Sequence, residues 1–257
     1  MTICIATICD SPSDEKIVFA TDHMVTTNSG QFEHSIEKYR KINDSVFAML
    51  SGQALLFDDL IKLDGKKKDL SFDQIKQQIC ENFKKKRWDI IQNQVLNKFD
   101  VNKTFVKESL EKAIPNPITG QILEQIANFS MQTEILLVGF DDSKARISVI
   151  NESDDLNLRS INFHAIGSGQ SQAINTLLFQ RHSKKDNLKT TIYNVYKAKR
   201  TAEVMNGVGK ETDMFILTNK TIYKIDDVDM VLLGKIYEEE LSMGKCHKNL
   251  DKLKLVN

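Results

Sequence analysis

The chain has 257 residues, and its 35 Lys and Arg residues balance its 35 Asp and Glu residues, so the formal net charge is +0 at pH 7. This balance gives no reason to expect binding to nucleic acid or to an acidic membrane surface. The sequence has no apolar run of about 18 residues that would predict a membrane span. Asp10 interrupts the first apolar stretch, so we expect no signal peptide and a cytoplasmic location. The length is compatible with a single domain over residues 1–257.

Cysteines and histidines are not spaced as metal ligands. The four cysteines form no C-x-x-C pair, and the five histidines show no ligand spacing, so we expect no metal site and no cofactor. Two basic runs, at 66–68 and 84–87, could indicate a nucleic-acid surface, with Trp88 stacking on a base. Because the net charge is zero, we prefer a solvated helix face whose aromatic edge packs inward.

Two strands are predicted at the start of the chain. Residues 2–9 form an apolar, strand-like run, and residues 16–22 form a second run that ends on Asp22. The polar residues 10–15 between them have turn chemistry, so the two strands should form a hairpin. Residues 24–34 are polar and contain one glycine, which indicates a loop.

A third strand is predicted at residues 45–50. It ends on Ser51 and Gly52 and is followed at once by an apolar, helix-like segment at residues 55–61. A glycine between a strand and a helix can present its N–H group to an oxyanion at the helix N-terminus. Gly52 is therefore a candidate oxyanion donor.

The middle of the chain is predicted to be mostly helical. Helical patterns cover residues 72–96, 106–113 and 121–131. Loop signals at Pro115, Pro117 and Gly120 separate the last two patterns. A β-hairpin then follows, with predicted strands at 133–140 and 145–150.

The C-terminal part alternates strands and helices. A strand at 163–167 leads into Gly167-Ser168-Gly169, and a second strand at 213–218 follows a turn with glycines at 207 and 209. Helical patterns occupy 171–179, 188–205 and 228–243. Residues 244–257 are Lys-rich, and we expect a mobile tail.

Thr2 is the first residue with a candidate chemical role. If Met1 is removed, Thr2 carries a free α-amine beside its own hydroxyl group, which places a nucleophile and its general base on one residue. An α-amine has a pKa of about 8, so a large share is neutral at cytoplasmic pH. Threonine is small, so we expect Met1 to be removed.

The order of residues from Thr2 to Gly52 resembles a proteasome β subunit and its bacterial relative HslV, which are N-terminal-nucleophile (Ntn) hydrolases. The family pattern is a mature N-terminal threonine, an aspartate that ends the second strand, a lysine, and a strand that ends in Ser-Gly or Gly-Gly. The matching residues here are Thr2, Asp22, Lys38, Ser51 and Gly52. The spacing from Asp22 to Gly52 fits without a gap.

The C-terminal part extends the resemblance but also departs from it. Gly167-Ser168-Gly169 is similar to the family's Gly-Ser-Gly, which ends a strand and precedes a helix. In active proteasome subunits the turn before the late strand supplies an aspartate and a serine near the threonine amine. Residues 203–209 contain neither. Glu203 and Asn206 are the residues there that could substitute.

The resemblance implies an α+β fold, the four-layer αββα sandwich of Ntn hydrolases, in which two largely antiparallel sheets lie between helical layers. Residues 97–132 are interpreted as a helical insertion that adds packing or a subunit contact, with a substrate lid as the alternative. The implied assembly is a homo-oligomer, alone or with proteasome-like subunits.

The resemblance also implies a threonine peptidase that cleaves peptides or unfolded proteins through an acyl-enzyme. Thr2 would attack, Lys38 would lower the pKa of its hydroxyl group, and Asp22 would orient Lys38. The Gly52 N–H group would bind the oxyanion, and Ser168 would hydrogen-bond near the amine. A structural ion pair is the alternative for Asp22 and Lys38. The alternatives for the whole chain are an inactive proteasome-like assembly subunit and an Ntn amidase or transpeptidase with a small or specific substrate.

Overall fold

The structure is a computed structural model that describes residues 2–11, 14–27, 30–34, 36–66, 70–111, 117–153, 155–158 and 161–244. Met1, the predicted loop residue Pro115 and residues 245–257 of the predicted tail lie outside these ranges. The described chain is an α+β protein with antiparallel sheets, as the sequence predicts.

The first sheet is built on the predicted N-terminal hairpin. β1 (Ile3–Ser11) pairs with β2 (Asp14–Asp22), with Cys4 opposite Thr21, and this register puts Ile3 opposite Asp22. The strand order is β10-β1-β2-β11-β12. The remaining strands are β10 (Phe163–Gly167), β11 (Thr212–Leu217) and β12 (Ile222–Lys224). β1 and β2 are therefore central strands, which explains why their sequences are almost continuously apolar.

The second sheet has the order β5-β6-β7-β8-β9. Its strands are β5 (Tyr39–Lys41), β6 (Val46–Ser51), β7 (Glu134–Asp141), β8 (Lys144–Ile150) and β9 (Asp155–Asn157). The predicted strand that ends on Ser51 and the predicted hairpin after it are both confirmed. The edge strands β5, β9 and β12 were not predicted, because three residues are too few to show an alternating pattern.

The prediction of a loop at residues 24–34 is wrong. β3 (Met24–Thr27) and β4 (Gly30–Glu33) form a separate two-stranded antiparallel sheet. Val25 and Thr26 are β-branched and favour strand geometry, and Gly30 supplies a φ of +152° at the start of β4. Polar composition alone concealed this hairpin.

Helices occupy most of the predicted positions. They are α1 (Phe57–Leu60), α2 (Phe72–Gln94), α3 (Lys103–Glu111), α4 (Pro117–Asn128), α5 (Gln170–Phe179), α6 (Leu188–Ala202) and α7 (Asp227–Gly244). The helix predicted at 55–61 is only a 3₁₀ turn, Ala54–Leu56, followed by the single turn of α1. α2 begins at a capping box, in which Ser71 and Gln74 satisfy each other's backbone N–H groups. No helix in the described part of the chain is long and apolar enough to cross a membrane.

The two sheets pack face to face through an apolar cluster. In its centre, the ring of Phe19 lies 5.0 Å from that of Phe215 and 5.9 Å from that of Phe47, measured between centroids. The outer face of the first sheet packs against α5, α6 and α7. The outer face of the second sheet packs against α1 and α2. Each sheet is therefore covered on both faces, and the residues at the strand ends are held between two packed cores.

The segment after α2 forms a small cluster of its own. Val106 of α3 and Ile122 of α4 pack against Ile91 near the end of α2. Pro117 and Gly120 were predicted as loop residues, but both lie in α4, where proline at the first helical position loses no hydrogen bond. That residues 97–132 are an insertion stays a prediction.

The second basic run lies on the exposed side of α2. Lys86 pairs with Asp59 at 2.5 Å, and Arg87 pairs with Glu152 at 3.5 Å. Trp88 packs against the cluster beside α2, with the Lys103 ammonium group 4.3 Å from its ring centroid. Lys84 and Lys85 are exposed, whereas the Arg87 side chain is 23% exposed and donates to the Ile126 carbonyl oxygen. Lys67 and Lys68 of the first run lie outside the described residues, and the preference for a solvated face over a nucleic-acid surface stays a prediction.

We predict that Phe19→Ala destabilises the protein by about 3–5 kcal/mol, because it removes a fully buried ring from the interface between the sheets. Urea unfolding followed by circular dichroism measures this free energy. The matched control is Leu55→Ala, which truncates a side chain that is 95% exposed and should change stability by less than about 0.5 kcal/mol. Equal losses in the two variants would contradict the packing of the sheets.

Candidate functional site

Asp22 is the centre of a buried hydrogen-bond network at the end of β2. Its side chain is fully buried. Oδ1 accepts hydrogen bonds from the Thr2 hydroxyl group, from the Ile3 N–H group at 3.0 Å and from Lys38 Nζ at 2.6 Å. The Ile3 contact follows from the register of β1 and β2. A buried carboxylate without such donors would carry a large desolvation penalty.

The other carboxylate oxygen of Asp22 is bound by backbone groups. Oδ2 accepts from the Gly209 N–H group at 2.7 Å and from the Met24 N–H group at 3.3 Å. Gly209 lies in the turn between α6 and β11, so the carboxylate joins three separate parts of the chain. With donors on both oxygens, the orientation of the carboxylate is fixed.

Lys38 completes a triangle with Thr2 and Asp22. Its ammonium group donates to the Thr2 hydroxyl oxygen as well as to Asp22 Oδ1, and the side chain is 11% exposed. The Lys38 carbonyl group accepts from the Leu50 N–H group at 3.0 Å, which anchors the lysine backbone to β6. This arrangement places the positive charge of Lys38 beside the Thr2 hydroxyl oxygen, which the sequence identifies as the candidate nucleophile.

Ser168 contacts the backbone nitrogen and the backbone carbonyl group of Thr2. The Thr2 nitrogen donates to Ser168 Oγ at 3.3 Å, and Ser168 Oγ in turn lies 3.3 Å from the Thr2 carbonyl oxygen, to which it donates. In the full sequence this nitrogen belongs to the peptide bond with Met1, so it marks the position of the α-amine that removal of Met1 would create. The Gly169 N–H group also donates to the Thr2 carbonyl oxygen, at 3.4 Å.

Gly167 packs against the backbone carbonyl group of Thr2. It has a φ of +100°, and a Cβ atom there would lie 2.3 Å from the Thr2 carbonyl oxygen and 3.0 Å from Ser51 Oγ. Only glycine has both the required backbone conformation and the required space. The Ser51 hydroxyl group therefore lies beside the backbone that carries Thr2.

Gly52 lies next to this network but is not joined to it. Among the described residues, the hydrogen bonds that link Thr2, Asp22, Lys38 and Ser168 do not include Gly52. Gly52 has a φ of +111°, and a Cβ atom there would lie 2.2 Å from the Gln132 carbonyl oxygen and 2.8 Å from the Thr133 Cα atom. Its role as an oxyanion donor stays a prediction.

Neither candidate substitute in the turn after α6 contacts Thr2. Glu203 instead binds Lys199 at 2.6 Å and Arg200 at 3.0 Å, and Asn206 is exposed. The turn reaches the network through the backbone of Gly209. Sequence reasoning missed this donor because it searched residues 203–209 for side chains, although the glycines there were visible.

Two further titratable groups lie close to the network. Glu134, at the start of β7, is half-buried and accepts the Gly167 N–H group; burial raises the pKa of its carboxyl group, and this hydrogen bond opposes the rise. Cys4 is fully buried, and burial raises the pKa of its thiol although Lys38 opposes the rise. Because the Cys4 thiol is fully buried and donates to the Leu50 carbonyl oxygen, it is a poor candidate for the nucleophile.

Comparison with known proteins assigns no family or function to the chain, because no protein-family model and no curated protein matches it. The chemistry of the site must therefore be argued from its geometry. The Lys38 ammonium group faces the negative charge that would develop on Thr2 Oγ and favours loss of the hydroxyl proton, whereas the Asp22 carboxylate on the same hydroxyl group opposes it.

We predict that Gly167→Ala destabilises the protein, with about 1–3 kcal/mol from the backbone conformation alone and more from the contact with the Thr2 carbonyl group. Urea unfolding is again the measurement. Gly120→Ala is the matched control, because it lies within α4 with open space around it and should stabilise the helix by up to about 1 kcal/mol. A Gly167→Ala variant as stable as the wild type would contradict the close contact between Gly167 and Thr2.

Proposed function

We propose that this chain is a threonine-type Ntn hydrolase whose nucleophile is Thr2 after removal of Met1. The observation that carries the proposal is the triangle of Thr2 Oγ, Lys38 Nζ and Asp22 Oδ1, with Ser168 at the Thr2 nitrogen. The finer fold proposed is the four-layer αββα sandwich. Support comes from two sheets that pack on each other and are each covered outside by helices.

The proposed reaction is amide hydrolysis in two steps. The Thr2 oxygen forms a bond to the substrate carbonyl carbon, and the Thr2 amine takes the hydroxyl proton directly or through one water. The C–N bond then breaks, and the leaving amine receives that proton. A water molecule next attacks the ester on Thr2, gives a carboxylic acid and restores the hydroxyl group.

Lys38 and Asp22 have different roles in this mechanism. Lys38 stabilises the oxyanion that develops on Thr2 Oγ, because its ammonium group is already in contact with that oxygen. Asp22 keeps Lys38 in place through the 2.6 Å contact. The Gly52 N–H group is the proposed donor to the substrate oxyanion, an interaction worth on the order of 3 kcal/mol in other hydrolases.

The proposed substrates are peptides or unfolded proteins in the cytoplasm. An amidase or transpeptidase with a smaller substrate uses the same nucleophile, and substrate profiling of the reactive protein separates the two.

A catalytically inactive assembly subunit is the second candidate function. The observation that favours it is the turn after α6, where within the described residues neither Glu203 nor Asn206 contacts Thr2. An active site of this family has two side chains there. In that case the ion pair between Asp22 and Lys38 has only a structural role at the end of β2.

We predict that a peptide epoxyketone adds to the purified protein at a single site, because this reagent bonds to both the hydroxyl group and the α-amine of an N-terminal threonine. Intact mass spectrometry measures the adduct and also shows whether the chain begins at Thr2. Thr2→Ala should form no adduct, and Lys38→Met should react at least about 100-fold more slowly. Asp22→Asn should be affected less, since Lys38 is retained.

Lys41→Met is the matched control for Lys38→Met, since Lys41 pairs with Asp44 at the surface and should react like the wild type. A native protein that retains Met1, or a wild type that reacts no faster than Thr2→Ala, would reject the hydrolase proposal. Either result would leave the assembly subunit as the better assignment.

We also propose that the chain forms a homo-oligomer. α7 exposes several apolar side chains, including Val228 at 77%, Val231 at 60% and Met243 at 73% exposure. A cluster of exposed apolar side chains is a feature of many protein–protein contacts.

Light scattering at micromolar concentration should therefore give a mass that is a multiple of 29.3 kDa. Val231→Lys should shift the mass towards the monomer, whereas Lys235→Glu, which changes only charge on the same helix, should shift it less. A clean monomer would favour an enzyme that acts on small or specific substrates.

A further inference from the structure

Lys199 is a fully buried lysine in α6 that the proposed mechanism does not use. Its ammonium group donates to Glu203 Oε1 at 2.6 Å and to the carbonyl oxygen of Lys210 at 2.5 Å. Lysine is one of the residue types that are almost never fully buried unless paired. Burial lowers the pKa of Lys199, and the nearby carboxylates of Glu203 and Asp22 oppose this shift.

The carbonyl group that Lys199 holds belongs to the turn that binds Asp22. Lys210 follows Gly209, whose N–H group donates to Asp22 Oδ2 at 2.7 Å. Moving the Lys210 carbonyl group would therefore move the Gly209 N–H group. Through this contact, a buried side chain in α6 acts on the carboxylate that holds Lys38.

Glu33 holds the same turn from the solvent side. Its Oε1 accepts the N–H groups of Lys210 and Glu211, the latter at 2.9 Å. Glu33 is the last residue of β4, so the β3–β4 hairpin that follows Asp22 contacts the turn between α6 and β11. The turn is thus fixed by a cation on one carbonyl group and by a carboxylate on the two adjacent N–H groups.

We propose that Lys199 and Glu33 are positioning residues that hold the turn at 207–210 so that the Gly209 N–H group orients Asp22 for catalysis. Residues 203–209 contain neither aspartate nor serine, and the turn acts on Asp22 through its backbone. This inference rests on the proposed hydrolase function, because its effect is read at Thr2.

The competing explanation is that Lys199 and Glu203 form a buried ion pair that contributes only to stability. The two explanations differ in which partner of Lys199 matters. Replacing both members of a buried ion pair by neutral groups is often tolerated. The double variant Lys199→Met with Glu203→Gln removes the ion pair without leaving an unpaired charge on Glu203, and it also removes the donor to the Lys210 carbonyl group.

The experiment measures the inactivation of folded protein by the peptide epoxyketone at several reagent concentrations, together with the melting temperature. It gives the maximal rate and the half-saturating concentration separately. For the double variant we expect the maximal rate to fall at least about tenfold, with the half-saturating concentration unchanged, because misplaced catalytic groups slow the chemistry rather than the binding. The matched control is Lys197→Met with Glu240→Gln, which removes a 2.5 Å ion pair between α6 and α7 and should leave the maximal rate unchanged.

Glu33→Ala provides a second test if the double variant does not fold, because Glu33 is exposed and its loss should change the melting temperature little. The maximal rate should again fall with an unchanged half-saturating concentration. Maximal rates equal to the wild type in Glu33→Ala, or in a folded double variant, would overturn the inference. A wild type that forms no adduct would instead reject the hydrolase proposal itself.

Discussion

The site depends on the hydrogen bonds that the buried carboxylate of Asp22 accepts. Five groups donate to it: the Thr2 hydroxyl, Lys38 Nζ and the backbone N–H groups of Ile3, Met24 and Gly209. In the protein interior, an ionised carboxylate is stable only with such donors. Because these donors come from Thr2 and β1, the start of β3, the segment before β5 and the turn before β11, the carboxylate can be satisfied only when both sheets and the turn are correctly placed. Folding and assembly of the site are therefore the same event.

The sheets supply rigidity that the polar groups could not supply alone. β1 and β2 are central strands with one face on the second sheet and the other on α5, α6 and α7. Thr2 directly precedes β1, and Asp22 ends β2, so both side chains extend from strands that are packed on both faces. Lys38 is tied to β6 in the second sheet through its backbone. The Lys38–Asp22 contact thus crosses from one sheet to the other, and the close packing around Phe19 keeps that distance short.

Much of this arrangement could be predicted from sequence, because it depends on local pattern. The apolar runs of β1 and β2, the strand that ends on Ser51, and the order of Thr2, Asp22 and Lys38 are all visible in the chain. The hairpin at 24–33 was missed because its residues are mostly polar and its two strands are held by pairing with each other rather than by burial. Pro117 was misread because proline marks a helix start as well as a loop. The roles of Gly209 and Lys199 could not be predicted from the sequence. A backbone donor does not depend on residue type, and the sequence does not distinguish a buried lysine from an exposed one.

The turn after α6 contacts the site through its backbone, at Asp22 rather than at the Thr2 nitrogen. A motif search looks for side chains, and residues 203–209 offer no aspartate or serine. The structure instead presents a backbone N–H group to Asp22, and the position of that group is set by Lys199 from inside the protein and by Glu33 from outside. Gly209 also constrains its own position, because a Cβ atom there would lie 2.6 Å from Glu33 Oε1 and 3.0 Å from the Met24 nitrogen. The placement of this donor therefore depends on Gly209 together with Lys199 of α6 and Glu33 at the end of β4.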